Sequence, residues 1–312
     1  MPHPGPADRS ADPAAALRGA RVVVTRSADR ARELVALLHG HGARVRLAPL
    51  LEATLPGDTG PVAALLDRAA DPGAAAGSWL VVTSVTTVRA LRAVAGEPSG
   101  TALGDRFAAA RRAGLRVAAV GDATAAALAD AGLAPDLVPG TAHSAAGLLA
   151  DWPAEPAPGT VLLPLSARAR PTLGDGLAGR GHRVRTATAY ETVPWPAPAP
   201  LVPAAPDGAE VLDRAGVLAA LAAGETDAVV LTAPSHLAEL AGRDPAVLAG
   251  TALVAIGEPT RRAAAALGLS ARTASRPDPQ SVRDTLARAL TERAGPPVPA
   301  PPATTTTEET DP

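Results

Sequence analysis

Five short stretches place hydroxyl, arginine or glycine residues directly after an apolar run: Thr25-Arg26, Thr83-Ser84, Gly121 to Thr124, Thr232 to Ser235 and Gly257 to Thr260. Each run reads as a strand and each following segment as a helix. These residues therefore fall at carboxyl ends of strands, the edge where parallel α/β sheets bind ligands. Hydroxyls and free helix N–H groups can hold anions there without any lysine. Capping explains Ser or Thr at any one such position, but five on one kind of edge point to a shared ligand site. Tyr190, the only tyrosine in the chain, lies in the alternating stretch TATAYETVP. Its ring either packs on one face with the hydroxyl in water, or presents a phenol that donates to a leaving group.

Absences narrow the chemistry further. With no Cys, disulfides, thiolate metal sites and cysteine nucleophiles are excluded. All 29 Lys-plus-Arg residues are Arg, which excludes Schiff-base chemistry and a P-loop lysine. Asn is also missing, so there is no N-glycosylation acceptor. VAAVGDAT and VAIGEPT each hold a single glycine, too few for a dinucleotide fingerprint. Neither a G-x-S-x-G elbow nor an H-E-x-x-H motif occurs. His39 and His41, two apart near a helix end, cannot share a helix face, so no metal is expected. His143, His182 and His236 are isolated and read as solvated surface, and Arg30, Arg32 and Glu33 as a solvated helix face. No carboxylate pair declares itself as an acid/base couple.

A formal net charge of −2, with no basic stripe, argues against nucleic acid. No apolar run approaches the ~20 residues that span a bilayer, and MPHPGPADRSADP lacks the regions of a signal peptide. A cytoplasmic protein is expected.

These residues need a framework to hold them. The 312 residues suit two domains, and 47% hydrophobic with 2% aromatic content implies cores of Ala, Val and Leu. Strands are expected at RVVVT (21–25), SWLVVTS (78–84), RVAAVG (116–121), TVLLP (160–164), DAVVLT (227–232) and ALVAIG (252–257). Amphipathic helical patterns ending in Gly follow them, which indicates parallel sheets covered on both faces. The order of signals occurs twice, as two copies of one α/β unit. RLAPLLEATLP and RTATAYETVP occupy equivalent places and read as connecting strands. The Pro-rich stretch 194–208 reads as a surface loop.

In order and spacing, VVVTR, WLVVTSVTTVRAL, RVAAVGDATAAALADAGLAPDLVP, SAAGLLADWP, TAYETVP, VVLTAPS and ALVAIGEPTRRAAAALGL resemble uroporphyrinogen-III synthases, over roughly 19–292. The resemblance implies an α/β protein of two flavodoxin-like parallel-sheet domains joined by a two-stranded β ladder. It implies a first domain of 19–47 with 196–292, a ladder of 48–55 and 185–195, and a second domain of 56–184, while the Pro-, Ala- and Thr-rich ends, 1–18 and 293–312, have almost nothing to bury and read as disordered tails. The implied reaction is cofactor-free. Hydroxymethylbilane, an anionic linear tetrapyrrole with eight carboxylates, loses its terminal hydroxyl as water and cyclises through a spiro intermediate with ring D inverted. Tyr190 is then the catalytic candidate. Arg26, Thr83, Ser84, Thr124, Ser144, Arg168, Ser235 and Thr260 are the substrate-binding candidates, lining an inter-lobe cleft, with no metal.

The implied partners are hydroxymethylbilane and, transiently, neighbouring tetrapyrrole-pathway enzymes, for a protein that is otherwise a monomer. Three positions depart from the pattern: Thr86 replaces a frequent Asn, Leu165 a common Arg, and Ala233 a Ser. Leu165 and Ala233 favour the alternative of a non-catalytic bilobed binding or regulatory module. Tyr190, Ser84, Thr124 and Thr260 favour the enzyme.

Overall fold

The structure, a computed structural model, describes residues 13–96, 102–154, 158–202, 210–242 and 244–294. The first elements are β1 (Arg21–Val24), α1 (Ala28–Gly40), β2 (Arg44–Leu47), β3 (Leu51–Thr54) and α2 (Gly60–Ala70). Next come β4 (Trp79–Val82), α3 (Val85–Val94), α4 (Ala102–Arg112), β5 (Arg116–Ala119), α5 (Asp122–Asp130) and α6 (Ala145–Ala150). They are followed by β6 (Thr160–Ser166), α7 (Thr172–Ala178), β7 (Arg183–Pro194), α8 (Arg214–Ala222) and β8 (Ala228–Leu231). The chain ends with α9 (Pro234–Ala241), β9 (Ala252–Ala255), α10 (Glu258–Ala266), β10 (Ala271–Thr273) and α11 (Pro279–Ala294). All six apolar runs form strands. β10 was not among them, because three half-exposed residues carry no readable periodicity.

The chain divides into two compact units, 1–48 with 206–312 and 49–205. The first unit is a five-stranded parallel sheet in the order β10-β9-β8-β1-β2. Counted along its own chain this is the order 2-1-3-4-5 of a flavodoxin-like doubly wound sheet, with the switch point between β1 and β8. Alternation along β1 sends Val22 and Val24 into one helical layer with Leu34, Leu38 and Leu286, while the fully buried Val23 faces the opposite layer. Arg21 fastens β1 to the start of β8. Its backbone N and Nε donate to Asp227 Oδ2 at 2.7 and 3.1 Å, and its Nη2 donates to Oδ1 at 2.7 Å. The Arg21 hydrogen bond holds the Asp227 carboxyl below its ordinary value against the opposing effect of burial.

Three boundaries differ from the expectation: residues 196–205 fall in the second unit rather than the first, α11 runs to Ala294, and the N-terminal boundary also moves. Pro13–Leu17 forms a 3-10 turn whose Leu17 is fully buried in the layer formed with α11, so the structured chain starts before residue 19. A single leucine with a groove to fill is enough to order that turn. The tail expectations for 1–12 and 295–312 otherwise lie outside the described residues.

The second unit has the order β3-β7-β6-β4-β5. Strands β4 to β7 are parallel, with the switch point between β4 and β6. The twelve-residue β7 lies first beside β6 and then, over Glu191 to Pro194, pairs antiparallel with β3. Antiparallel pairing thus covers only Leu51–Thr54 with Glu191–Pro194, and residues 185–190 of the expected ladder lie parallel to β6 instead. Alternation again feeds two layers: Leu80 and Val82 join Phe107, Val117 and Leu128, whereas Trp79 and Val81 join Leu148, Val161 and Leu173. The start of the Pro-rich loop is pinned to β3, since Ala197 N donates to Glu52 Oε2 at 2.9 Å and Thr54 Oγ1 to Ala199 O at 2.9 Å. Residues 203–208 of that stretch lie outside the described residues.

His182, read as solvated, is instead core. Trp152 Nε1 donates to its Nε2 at 3.1 Å, and the two rings meet edge to face at 5.6 Å. Trp152 also lies 4.7 Å from Trp79, so scarce aromatic rings gather with this imidazole rather than leaving it in water.

Candidate functional site

At the carboxyl edge of the second unit, β4 runs through Thr83 into Ser84, whose extended backbone makes it the N-cap of α3. Ser84 Oγ accepts from Thr87 N at 3.0 Å and lies 3.0 Å from Thr87 Oγ1. It also lies 3.4 Å from the Tyr190 hydroxyl. Tyr190 arrives from β7, opposite Ser166, just past a register shift at Leu165/Ser166. Such an irregularity re-aims side chains at a sheet edge. Capping and a phenol contact thus coexist at one serine. Thr83, Ser84 and Tyr190 are each half-buried.

The neighbouring strand β5 leads to Gly121, the N-cap of α5, where a Cβ would sit 3.0 Å from His143 Cβ. Thr124, in the first turn of that helix, is buried. Ser144 is exposed and caps α6 by accepting from Gly147 N at 3.1 Å. Arg168 is exposed, its Nη2 donating to Thr192 O at 3.4 Å. Leu165, in place of the expected arginine, lines a cavity of about 500 Å³ with Ser166, Thr186, Asp58 and Glu191, so this position borders carboxylates.

The first unit presents a different edge. Thr25 Oγ1 donates to Val230 O at 2.9 Å, and Thr232 Oγ1 donates to Thr25 O at 2.5 Å. His236 Nδ1 lies 2.9 Å from Thr232 Oγ1. His236 is therefore no isolated surface residue: it lies in the first turn of α9, four residues after Thr232, and is half-buried. Burial pushes its pKa below the ordinary 6.5 and the charge of Arg26 adds to this, while the Thr25 backbone partly opposes it. Ser235 beside it is exposed.

Arg26 is half-buried and lines a cavity of about 360 Å³ with Asp29, Arg30, Ile256 and Asp278. Burial, reinforced by Arg30 and partly offset by Asp29, lowers its pKa from the usual guanidinium value. Such an environment favours an incoming anion. Thr260 is buried in the first turn of α10. Glu258 ahead of it is bound by Arg261 through Nη2 at 2.6 Å and Nε at 2.8 Å.

The structure thus joins Tyr190 to Ser84, and sets Arg26 in a cavity. Ser144, Arg168 and Ser235 lie at exposed positions. Thr87 and His236 were missed, although S-x-x-T is a capping spacing and T-x-x-x-H sets the imidazole in the first turn after the strand-end hydroxyl. Among the described residues, no group of three or more His, Asp or Glu could hold a metal ion, and no helix is long and apolar enough to cross a membrane.

The family model for uroporphyrinogen-III synthase HemD matches residues 32–283. A solved mutant uroporphyrinogen III synthase from the extremely thermophilic bacterium Thermus thermophilus is similar at 22% identity and a TM-score of 0.53, over 88% of this chain and 100% of that one. A uroporphyrinogen-III synthetase from Helicobacter pylori aligns at 16% identity and a TM-score of 0.47, over 88% and 98% of the two chains. Among curated proteins, none matches.

Proposed function

The chain belongs to the uroporphyrinogen-III synthase family, and from that premise we propose that Tyr190 and the hydroxyl-bearing strand ends carry out the family's reaction. That reaction is a cyclising lyase step of tetrapyrrole biosynthesis, turning hydroxymethylbilane into uroporphyrinogen III and water.

The chemistry starts in the substrate. The electron pair of the terminal pyrrole nitrogen expels the hydroxyl and leaves an azafulvene. Tyr190 supplies the proton with which that hydroxyl departs as water. The phenolate recovers a proton from the substrate as the pyrrole N–H or the newly bonded ring carbon gives one up, so nothing is consumed. A phenol has a hydroxyl proton to donate to a departing oxygen and is suited to this. The observation that carries the assignment is the 3.4 Å separation between the Tyr190 hydroxyl and Ser84 Oγ, which supports a phenol held at the ligand-binding edge.

Thr83, Ser84 and Thr124 at the sheet edge of the second unit take carboxylate arms, and Arg26, Ser235 and Thr260 at the edge of the first unit take others. Ser144 and Arg168 take outlying arms from exposed positions. Holding the bilane coiled with ring D oriented is an entropic task more than a nucleophilic one. The same reading places the protein in the cytoplasm, in brief contact with the enzyme that releases hydroxymethylbilane. A short transit matters because the free bilane closes spontaneously to isomer I.

The test is Tyr190→Phe, assayed on freshly generated hydroxymethylbilane with isomers I and III separated. We expect isomer III formation to fall by at least about tenfold with the fold retained, the low side of what a general acid supplies. Wild-type rates from a folded variant would leave Tyr190 a packing residue.

A further inference from the structure

Thr232 has one hydroxyl proton to give. Its Oγ1 lies 2.5 Å from the Thr25 carbonyl oxygen, which can only accept, so the proton is committed there. His236 Nδ1, 2.9 Å from the same hydroxyl oxygen, must then be the donor of that pair. A proton on Nδ1 of a neutral imidazole leaves Nε2 as a bare acceptor. Burial and the charge of Arg26 both favour the neutral ring. The one side-chain hydrogen bond of His236 among the described residues runs through Nδ1, and the residue is only half-buried. The position is the switch point of the first unit, where β1 and β8 diverge and the order of the sheet reverses.

The groups around this nitrogen are of the opposite kind. The Arg26 guanidinium, whose charge acts on the ring, donates, and the exposed Ser235 brings a hydroxyl. A carboxylate would meet these well and would be repelled by a bare imidazole lone pair. A ring N–H is what Nε2 can take.

We propose that His236 Nε2 accepts a hydrogen bond from a pyrrole N–H of the substrate, so that His236 reads the ring while its neighbours read the carboxylate arms. The proposal rests on the function given above, and makes His236 a specificity residue with no part in bond breaking.

The test uses the full chain with ¹⁵N-labelled histidine, the His236 signals being assigned by their loss in His236→Asn. In the free protein Nδ1 should carry the proton and Nε2 should be bare. A monopyrrole bearing acetate and propionate arms should shift the Nε2 signal, and its N-methyl analogue, with the same carboxylates but no N–H, should leave it in place. A proton on Nε2, or equal shifts from both probes, would overturn the proposal.

Kinetics give the second arm. His236→Asn keeps a donor for Thr232 but has nothing at the Nε2 position, whereas His236→Gln restores an acceptor there. We expect the Asn variant to raise KM for hydroxymethylbilane about fivefold, the value of one hydrogen bond, with kcat nearly unchanged and the Gln variant near wild type. A wild-type KM in His236→Asn, or equal losses in both variants, would refute the role. Because the binding arm needs no turnover, failure of the catalytic reading leaves it legible. Normal isomer III formation with an unresponsive Nε2 would sink this inference alone.

Discussion

The turns that leave β4 and β8 share a backbone and differ in wiring. Ser84 has φ −159° and ψ 156°, and Ala233 has φ −156° and ψ 154°. In the first turn the cap hydroxyl satisfies Thr87 N, and Thr87, the third helical residue, bonds back to it. In the second the cap has no side chain to offer, and Pro234 removes one N–H that would need a partner. Thr232, just ahead of the cap, turns instead to β1 and meets the third helical residue, His236. A repeated β/α unit therefore sets the geometry of both turns, and a few side chains hung from it decide the chemistry. One turn presents hydroxyl and phenol, the other hydroxyl and imidazole.

Thr232→Val strikes the second turn hardest. It removes the donor to Thr25 O and the partner of His236 together, and should cost about 1–3 kcal/mol in chemical denaturation. It should also release the imidazole from a single tautomer. Unchanged stability with an unchanged ¹⁵N pattern would show that the wiring does not hold the ring.

Exchanging the caps sharpens the contrast. Ser84→Ala should lose about 1 kcal/mol, the usual worth of a serine cap, whereas Ala233→Ser, entering the same backbone geometry, should gain about 0.5 kcal/mol. A destabilised Ala233→Ser would mean that Pro234 has already answered the capping need.

The smallest effect is on pH dependence. The pKa of His236 is lowered in the folded unit, so as pH falls the unfolded chain takes up this proton first. The stability His236 contributes is complete above the unfolded value of about 6.5 and is lost as pH drops below it toward the folded value. Replacing His236 with Gln should flatten stability against pH in the acid range below about 6.5. An unaltered slope would mean that the imidazole is not held neutral.

How much of this could be read from the chain depended on the range of the interaction. The strands at 21–24, 79–82, 116–119, 160–166, 228–231 and 252–255 were visible because continuous Val, Leu and Ala runs are what a sheet covered on both faces requires. Capping at Ser84 and Ser144 was equally local. β10 was hidden by its brevity, and His182 by the fact that its partner Trp152 lies thirty residues away in sequence. The tautomer of His236 depends on Thr25, 211 residues earlier and brought alongside only when β1 pairs with β8. Tyr190 was singled out by its uniqueness. Its contact with Ser84 comes from a sheet in which β6 stands between β4 and β7, and from the register shift that re-aims the end of β7.

The most direct measurement is the isomer composition formed by the purified full chain from freshly generated hydroxymethylbilane. Isomer III well above the spontaneous background is the expected result. Isomer I alone, from folded protein, would contradict the assignment and leave a binding module built on the same sheets.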